Sequence, residues 1–173
     1  VIIPEEVTKI GTSAFQNCTA LTKVMIPESV TTIGTYAFRG CTGLTEVTIP
    51  KSVTTIGSYA FSGCTGLAEV IFSEGLQEIG SYAFSSCTAL RGMVFPASLT
   101  AIGGYAFNKC SGIKELKLPE NLANIGDYAF NECSGLSGGL VIPAAVTSIC
   151  KYAFYKCTGL DGKLIIEAGR AKT

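Results

Sequence analysis

The apolar and polar positions of this chain recur with one period from end to end. Phenylalanine stands at Phe15, Phe38, Phe61, Phe84, Phe107, Phe130 and Phe154. Cysteine follows it at Cys18, Cys41, Cys64, Cys87, Cys110, Cys133 and Cys157, in five steps of 23 residues and a sixth of 24. Tyrosine precedes it at Tyr36, Tyr59, Tyr82, Tyr105, Tyr128 and Tyr152, with Ser13 in the first copy. One full unit, residues 26–48, reads IPESVTTIGTYAFRGCTGLTEVT. Self-similarity at a fixed period of this length predicts a stack of coils, one supersecondary unit per copy.

Within each unit the segment L-x-x-V-x-I alternates apolar and polar positions at its end, as in Leu44, Val47 and Ile49. Its residues are mostly β-branched, which predicts a strand with one buried face. Proline closes most of these strands (Pro27, Pro50, Pro96, Pro119, Pro143) because it has no N–H to give a ladder. A second extended piece, V-T-x-I-G, follows, as in Val53–Gly57. The spacing of Y-A-F-x-x-C then predicts one helical turn, with Phe and Cys three apart on one face and Tyr turned elsewhere. The extra residue of the sixth step falls at Gly138-Gly139, where a bulge is least costly.

A lone coil of this kind cannot bury its apolar residues, so stacking is obligatory. Adjacent coils about 4.8 Å apart give a parallel sheet, and seven of them span roughly 34 Å. The expected fold class is therefore α/β: a solenoid of about seven 23-residue coils. A parallel sheet on the concave face and single helical turns elsewhere complete it. Residues 1–173 form one domain on this reading. The ladder cysteines read as buried small hydrophobes with weak S–H donors. Parallel stacking does not bring their Cβ atoms face to face at the distance a disulfide needs. Cys150 is different, standing where other coils have Gly103 or Gly126.

The unit I-P-x-S-V-T-x-I-G-x-Y-A-F-x-G-C-T-x-L-T-x-V resembles the BspA-like, Treponema-type leucine-rich repeat. Residues 26–47 and 49–70 carry it best, and the match runs from Val1 to about Glu167. The resemblance implies a right-handed leucine-rich-repeat solenoid. It also implies a bacterial surface or secreted protein of the kind linked with adhesion to host matrix proteins, host cells or other bacteria. The repeat is found in surface proteins of some protozoan parasites too. The family brings no catalytic residues. Ser73 and Glu167 in the proline slot, Cys150 in the glycine slot and Ser13 in the tyrosine slot depart from the pattern.

Composition narrows the function further. Thirteen basic residues balance thirteen acidic ones, so no basic field draws nucleic acid or an anionic membrane. No apolar run reaches the length of a bilayer span, so no membrane insertion is expected in this segment. Without histidine, a histidine-based triad and a His-ligated zinc site are excluded. There is no C-x-x-C pair, and the glycines follow the repeat rather than a phosphate-binding fingerprint. No enzyme, metal or cofactor is expected. The sequon Asn17-Cys18-Thr19 is discounted because Cys18 is expected in the core.

What remains is surface. The x before the last apolar residue of L-x-x-V-x-I faces out from the sheet. That row reads Ile2, Met25, Thr48, Ile71, Val94, Lys117, Val141 and Ile165. An apolar stripe of this kind can mark a partner site, although β-branched residues also simply suit strands. Met25, Ile71, Val94, Lys117, Val141 and Ile165 are the candidate partner-binding residues, with a mixed polar rim that includes Lys23, Glu46, Glu69 and Arg91. The tyrosine row reads as packing coil on coil with its hydroxyls reaching water; the alternative is an exposed aromatic ladder suited to glycan or protein contact. The expected role is an extracellular or cell-surface module that binds a protein, host matrix or bacterial, through this face. The alternative is a spacer or self-associating scaffold. Val1-Ile2-Ile3-Pro4 aligns with Val24-Met25-Ile26-Pro27, so the chain is expected to begin inside a strand and to be part of a longer array. Uncapped ends that pair end to end with another chain are the other reading.

Overall fold

The computed structural model describes residues 1–168. The part of the expected uncapped end that falls on residues 169–173 lies outside them. Seven two-residue strands, one per coil, stack as a parallel sheet: Lys9–Ile10, Thr32–Ile33, Thr55–Ile56, Glu78–Ile79, Ala101–Ile102, Asn124–Ile125 and Ser148–Ile149. Each isoleucine pairs with its equivalent in the next coil, Ile10 with Ile33 and Ile33 with Ile56 at one end. The solenoid with parallel strands and a repeat of about 23 residues is the one the periodicity implies.

The continuous sheet, however, is built by the V-T-x-I-G pieces. The L-x-x-V-x-I segments pair only in places. Glu46–Ile49 pairs with Glu69–Phe72, and Leu140–Ile142 with Leu164–Ile166. Isolated bridges join Ile2 to Met25, Lys23 to Glu46 and Glu69 to Gly92. The reason lies in the residues. The paired segments are rich in Val and Ile, whereas the unpaired ones carry Gly92 or the run Lys114-Glu115-Leu116-Lys117-Leu118. Glycine and lysine are poor strand formers.

The second difference concerns Y-A-F-x-x-C. It is not a helical turn, and no helix occurs among the described residues. Its amides alternate in direction. Ala37, Arg39 and Cys41 donate within the coil to Gly34, Tyr36 and Phe38. Tyr36, Phe38 and Gly40 donate instead to Ser58, Ala60 and Ser62 of the next coil, at 3.0, 2.7 and 2.8 Å. A helix would direct every amide inward and leave none to join coils. The alternation requires left-handed backbone at the tyrosine, whose φ is between 56° and 59° in all six copies. That conformation costs a non-glycine residue about 1–2 kcal/mol. Two returns offset it: the amide reaching the next coil, and ring stacking worth about 0.5–1.5 kcal/mol per pair. Tyrosine centroids lie 4.4 Å apart between Tyr59 and Tyr82 and 4.5 Å between Tyr82 and Tyr105.

The core is one column. Phe38, Phe61, Phe84, Phe107 and Phe130 are fully buried, with rings stacked at 5.1–5.4 Å. Alanine, cysteine, leucine and isoleucine of each coil pack around them in a single cluster. The glycine of V-T-x-I-G allows coils to approach: a Cβ on Gly80 would stand 2.6 Å from the carbonyl oxygen of Ile56. The longer sixth step is absorbed where the sequence places it, with Gly138 at φ 75° and its carbonyl accepting from Gly162.

Because Phe84 sits mid-column between Phe61 and Phe107, Phe84→Ala is expected to destabilise by about 3–5 kcal/mol. Denaturant unfolding measures this. A loss below about 1 kcal/mol would show that the column does not carry the coil.

Candidate functional site

The cysteine column has a definite structural task. The thiol of Cys64 donates to the carbonyl of Phe38 in the preceding coil at 3.1 Å, and the amide of Cys41 donates to the same oxygen at 3.2 Å. Cys87, Cys110 and Cys133 repeat the contact with Phe61, Phe84 and Phe107. Both lone pairs of a buried carbonyl are thereby satisfied, and the thiols remain unpaired as free cysteines. Burial pushes Cys110 up to about 12 and Cys157 up to about 11, and it raises Cys87 and Cys133 as well. Such thiols are neither nucleophiles nor metal ligands at neutral pH. Among the described residues no group of three or more Cys, Asp or Glu is placed to hold a metal. No helix there is long and apolar enough to cross a membrane. Cys18, expected in the core, is exposed, because no coil stacks on that side of it among the described residues. Cys150 is exposed too.

The outward row of L-x-x-V-x-I is on the surface as expected. Met25, Ile71, Val94, Lys117, Val141 and Ile165 are all exposed, Val94 by 82% and Ile71 by 50%. Strand alternation explains this: in Glu69–Phe72 the burial alternates, with Val70 and Phe72 inward and Ile71 outward. The residues do not form one uniform stripe. Met25 bridges Ile2 at one end, and Val141 pairs with Ile165 at the other. Ile71, Val94 and Lys117 meet around a cleft of about 500 Å³. Its inner wall is Phe72, Met93 and Phe95, all buried. Its rim carries Glu69, Glu74 and Glu115.

Phe72 and Phe95 stand where other coils have Ile26, Ile49 or Ile142. They lie 5.7 Å apart and meet Phe84 and Phe107 edge-on. The aromatic substitution was visible in the sequence. So was the gap that Gly92 leaves in the row Glu46, Glu69, Glu115; neither was singled out, because each is one departure within a strong repeat. The expected polar rim is present, with Lys23 paired to Glu46 and Lys117 to Glu115 at 3.2 Å. Exposed pairs of this kind contribute little stability. The tyrosine rings are stacked on one another, so their faces are used within the fold.

This arrangement of stacked coils is that of a leucine-rich-repeat solenoid. The sequence matches the BspA-type leucine-rich repeat region, in six copies, over residues 1–114 and 31–161, and the chain belongs to that family. Its structure is similar to that of a leucine-rich repeat protein of T. pallidum, with 30% identity and a TM-score of 0.74, over 96% of this chain and 70% of that one. It is also similar to leucine-rich repeat proteins of Eubacterium ventriosum (25% identity, TM-score 0.59, 91% and 46% covered) and Bacteroides ovatus (26%, 0.51, 96% and 60%). No curated protein matches the chain.

Two outcomes follow for the thiols. The folded values of Cys110 and Cys157 lie above the value near 8.5 of an unfolded thiol, so their stability contribution is complete below about pH 8.5 and is lost as pH rises toward 11–12. Each is expected to lose about 1.4 kcal/mol per pH unit in that window, read as a falling midpoint of urea unfolding. A midpoint unchanged between pH 8 and pH 10 would contradict their burial. Iodoacetamide on the native protein is expected to label Cys18 and Cys150 only, and mass spectrometry of a digest shows whether the buried thiols react.

Proposed function

We propose that this chain is a protein-binding module of a cell-surface or secreted protein, and that it works without catalysis. The observation that carries this reading is the outward row, which leaves Ile71, Val94, Met25, Val141 and Ile165 exposed to water. Exposed apolar side chains edged by charged ones, as Ile71 and Val94 are, have the anatomy of a protein interface: an apolar centre that excludes water and a polar rim. Family membership supports it, since a repeat scaffold contributes surface rather than an enclosed active site. The chain has no histidine, and burial raises the thiols of Cys87 and Cys110. The proposed binding residues are Met25, Ile71, Val94, Lys117, Val141 and Ile165, and the proposed partner is a host matrix protein or a bacterial surface protein.

The spacer reading differs at the same residues. Binding to a panel of immobilised matrix proteins, measured by surface plasmon resonance, is compared between the protein and its Ile71→Glu/Val94→Glu variant. Both side chains are exposed, so the variant is expected to keep the native melting temperature within a few degrees. Binding is expected to fall by about tenfold or more, the consequence of placing carboxylates in a desolvated interface. Undiminished binding by the variant would move the site off this row. A protein that binds nothing while full-length adhesion persists would favour the spacer.

A further inference from the structure

The cleft at Gly92 interrupts the surface row in three independent respects. The first is backbone. Strand pairing ends after Glu69–Phe72, and only the bridge from Glu69 to Gly92 continues it. The amides of Met93, Val94, Phe95, Leu116 and Lys117 make no backbone hydrogen bond. The segment therefore lies outside the strand pairing that joins Glu46–Ile49 to Glu69–Phe72, and its outward side chain, Val94, stands in solvent. The second is shape. Gly92 stands in the row of Glu46, Glu69 and Glu115, and a Cβ built on it meets nothing within 4 Å. The missing side chain opens a notch beside the apolar wall of Phe72, Met93 and Phe95. The third is charge. Three carboxylates, Glu69, Glu74 and Glu115, face one ammonium, Lys117. Lys117 already pairs with Glu115, and the Glu74 carboxylate accepts from the amides of Ala97 and Ser98 at 3.0 and 3.2 Å. Glu69 makes no ion pair among the described residues.

Resting on the protein-binding reading of this row, we propose that the cleft takes an extended segment of a partner protein in which cationic and apolar side chains alternate. A lysine or arginine of that segment seats at Gly92, between Glu69 and Glu115. The backbone positions of those two residues are two coils apart, roughly 9–10 Å, with Gly92 between them. The apolar neighbours of that lysine or arginine cover Ile71 and Val94. The segment lies extended across the outward face, so that its alternate side chains reach the notch and the apolar row. The negative rim disfavours an acidic segment by like-charge repulsion.

The test uses two fluorescein-labelled, end-blocked octapeptides, one of alternating valine and arginine and one of alternating valine and glutamate. Fluorescence anisotropy with the whole chain is read at low and high salt. The arginine peptide is expected to bind and to weaken with salt, and the glutamate peptide not to bind. Gly92→Val fills the notch without touching the fold, since the site is open and Gly92 has ordinary backbone angles. It is expected to weaken the arginine peptide by about tenfold or more at an unchanged melting temperature. Glu69→Gln/Glu115→Gln is expected to weaken it and to flatten the salt dependence. Equal binding of the two peptides, or binding unchanged by Gly92→Val, overturns the proposal. So does a concentration-dependent dimer lost on Gly92→Val, which would make a second copy the occupant. If the peptides fail while matrix binding is still lost in Ile71→Glu/Val94→Glu, the row is the interface and the cleft is not.

Discussion

The structure depends on one constraint: a coil of 23 residues cannot satisfy its own backbone, so its amides must be shared with its neighbours. The extended piece of each coil gives its amides backward, as Gly34 does to Ile10, and the turn that follows gives alternate amides forward, as Phe38 does to Ala60. The phenylalanine carbonyl closes the arrangement by accepting both from its own coil and from the thiol of the next, as Phe38 does from Cys41 and Cys64. Every interior coil is thus held from both sides. The repeated Tyr-Ala-Phe-x-x-Cys is the chemical form this takes. Tyrosine holds the left-handed backbone while its ring stacks on the next, phenylalanine fills the column, and cysteine supplies a small buried donor.

Much of this was legible in the sequence. The period named the solenoid, and the apolar register named the core: Val30, Ile33, Phe38, Cys41, Leu44, Val47 and Ile49 are all buried. The bulge at Gly138 was readable from one extra residue. Two features were not. The Tyr-Ala-Phe segment has helix-like spacing, and periodicity cannot distinguish a helical turn from a chain of turns whose alternate amides leave the coil. The choice is made by hydrogen bonds to the next coil, which no single unit records. The continuous sheet likewise settled on the V-T-x-I-G pieces. Its isoleucines recur in every coil, whereas the L-x-x-V-x-I row loses its β-branched residues at Met93, Leu116 and Lys117.

The candidate surface was legible in outline only. Exposure of the outward row follows from strand alternation and could be read directly. That Ile71, Val94 and Lys117 would gather at a cleft could not, since it depends on where pairing stops. A repeat sequence trains attention on what recurs, and here the departures carry the information: Gly92 for glutamate, Phe72 and Phe95 for isoleucine. A scaffold that repeats its core seven times is free to vary one position per coil, and such variation is how one fold presents different surfaces.

The direction of the inter-coil bonds has a mechanical consequence. They lie along the stack, so tension applied through the two termini loads them one coil at a time, as in opening a zip, rather than shearing many together. Resistance at each step is set by the bonds joining that pair of coils. The junctions on either side of Leu118 lack the strand pairing that Ile49 and Phe72 possess, so on that face they offer the least resistance to a pull along the stack.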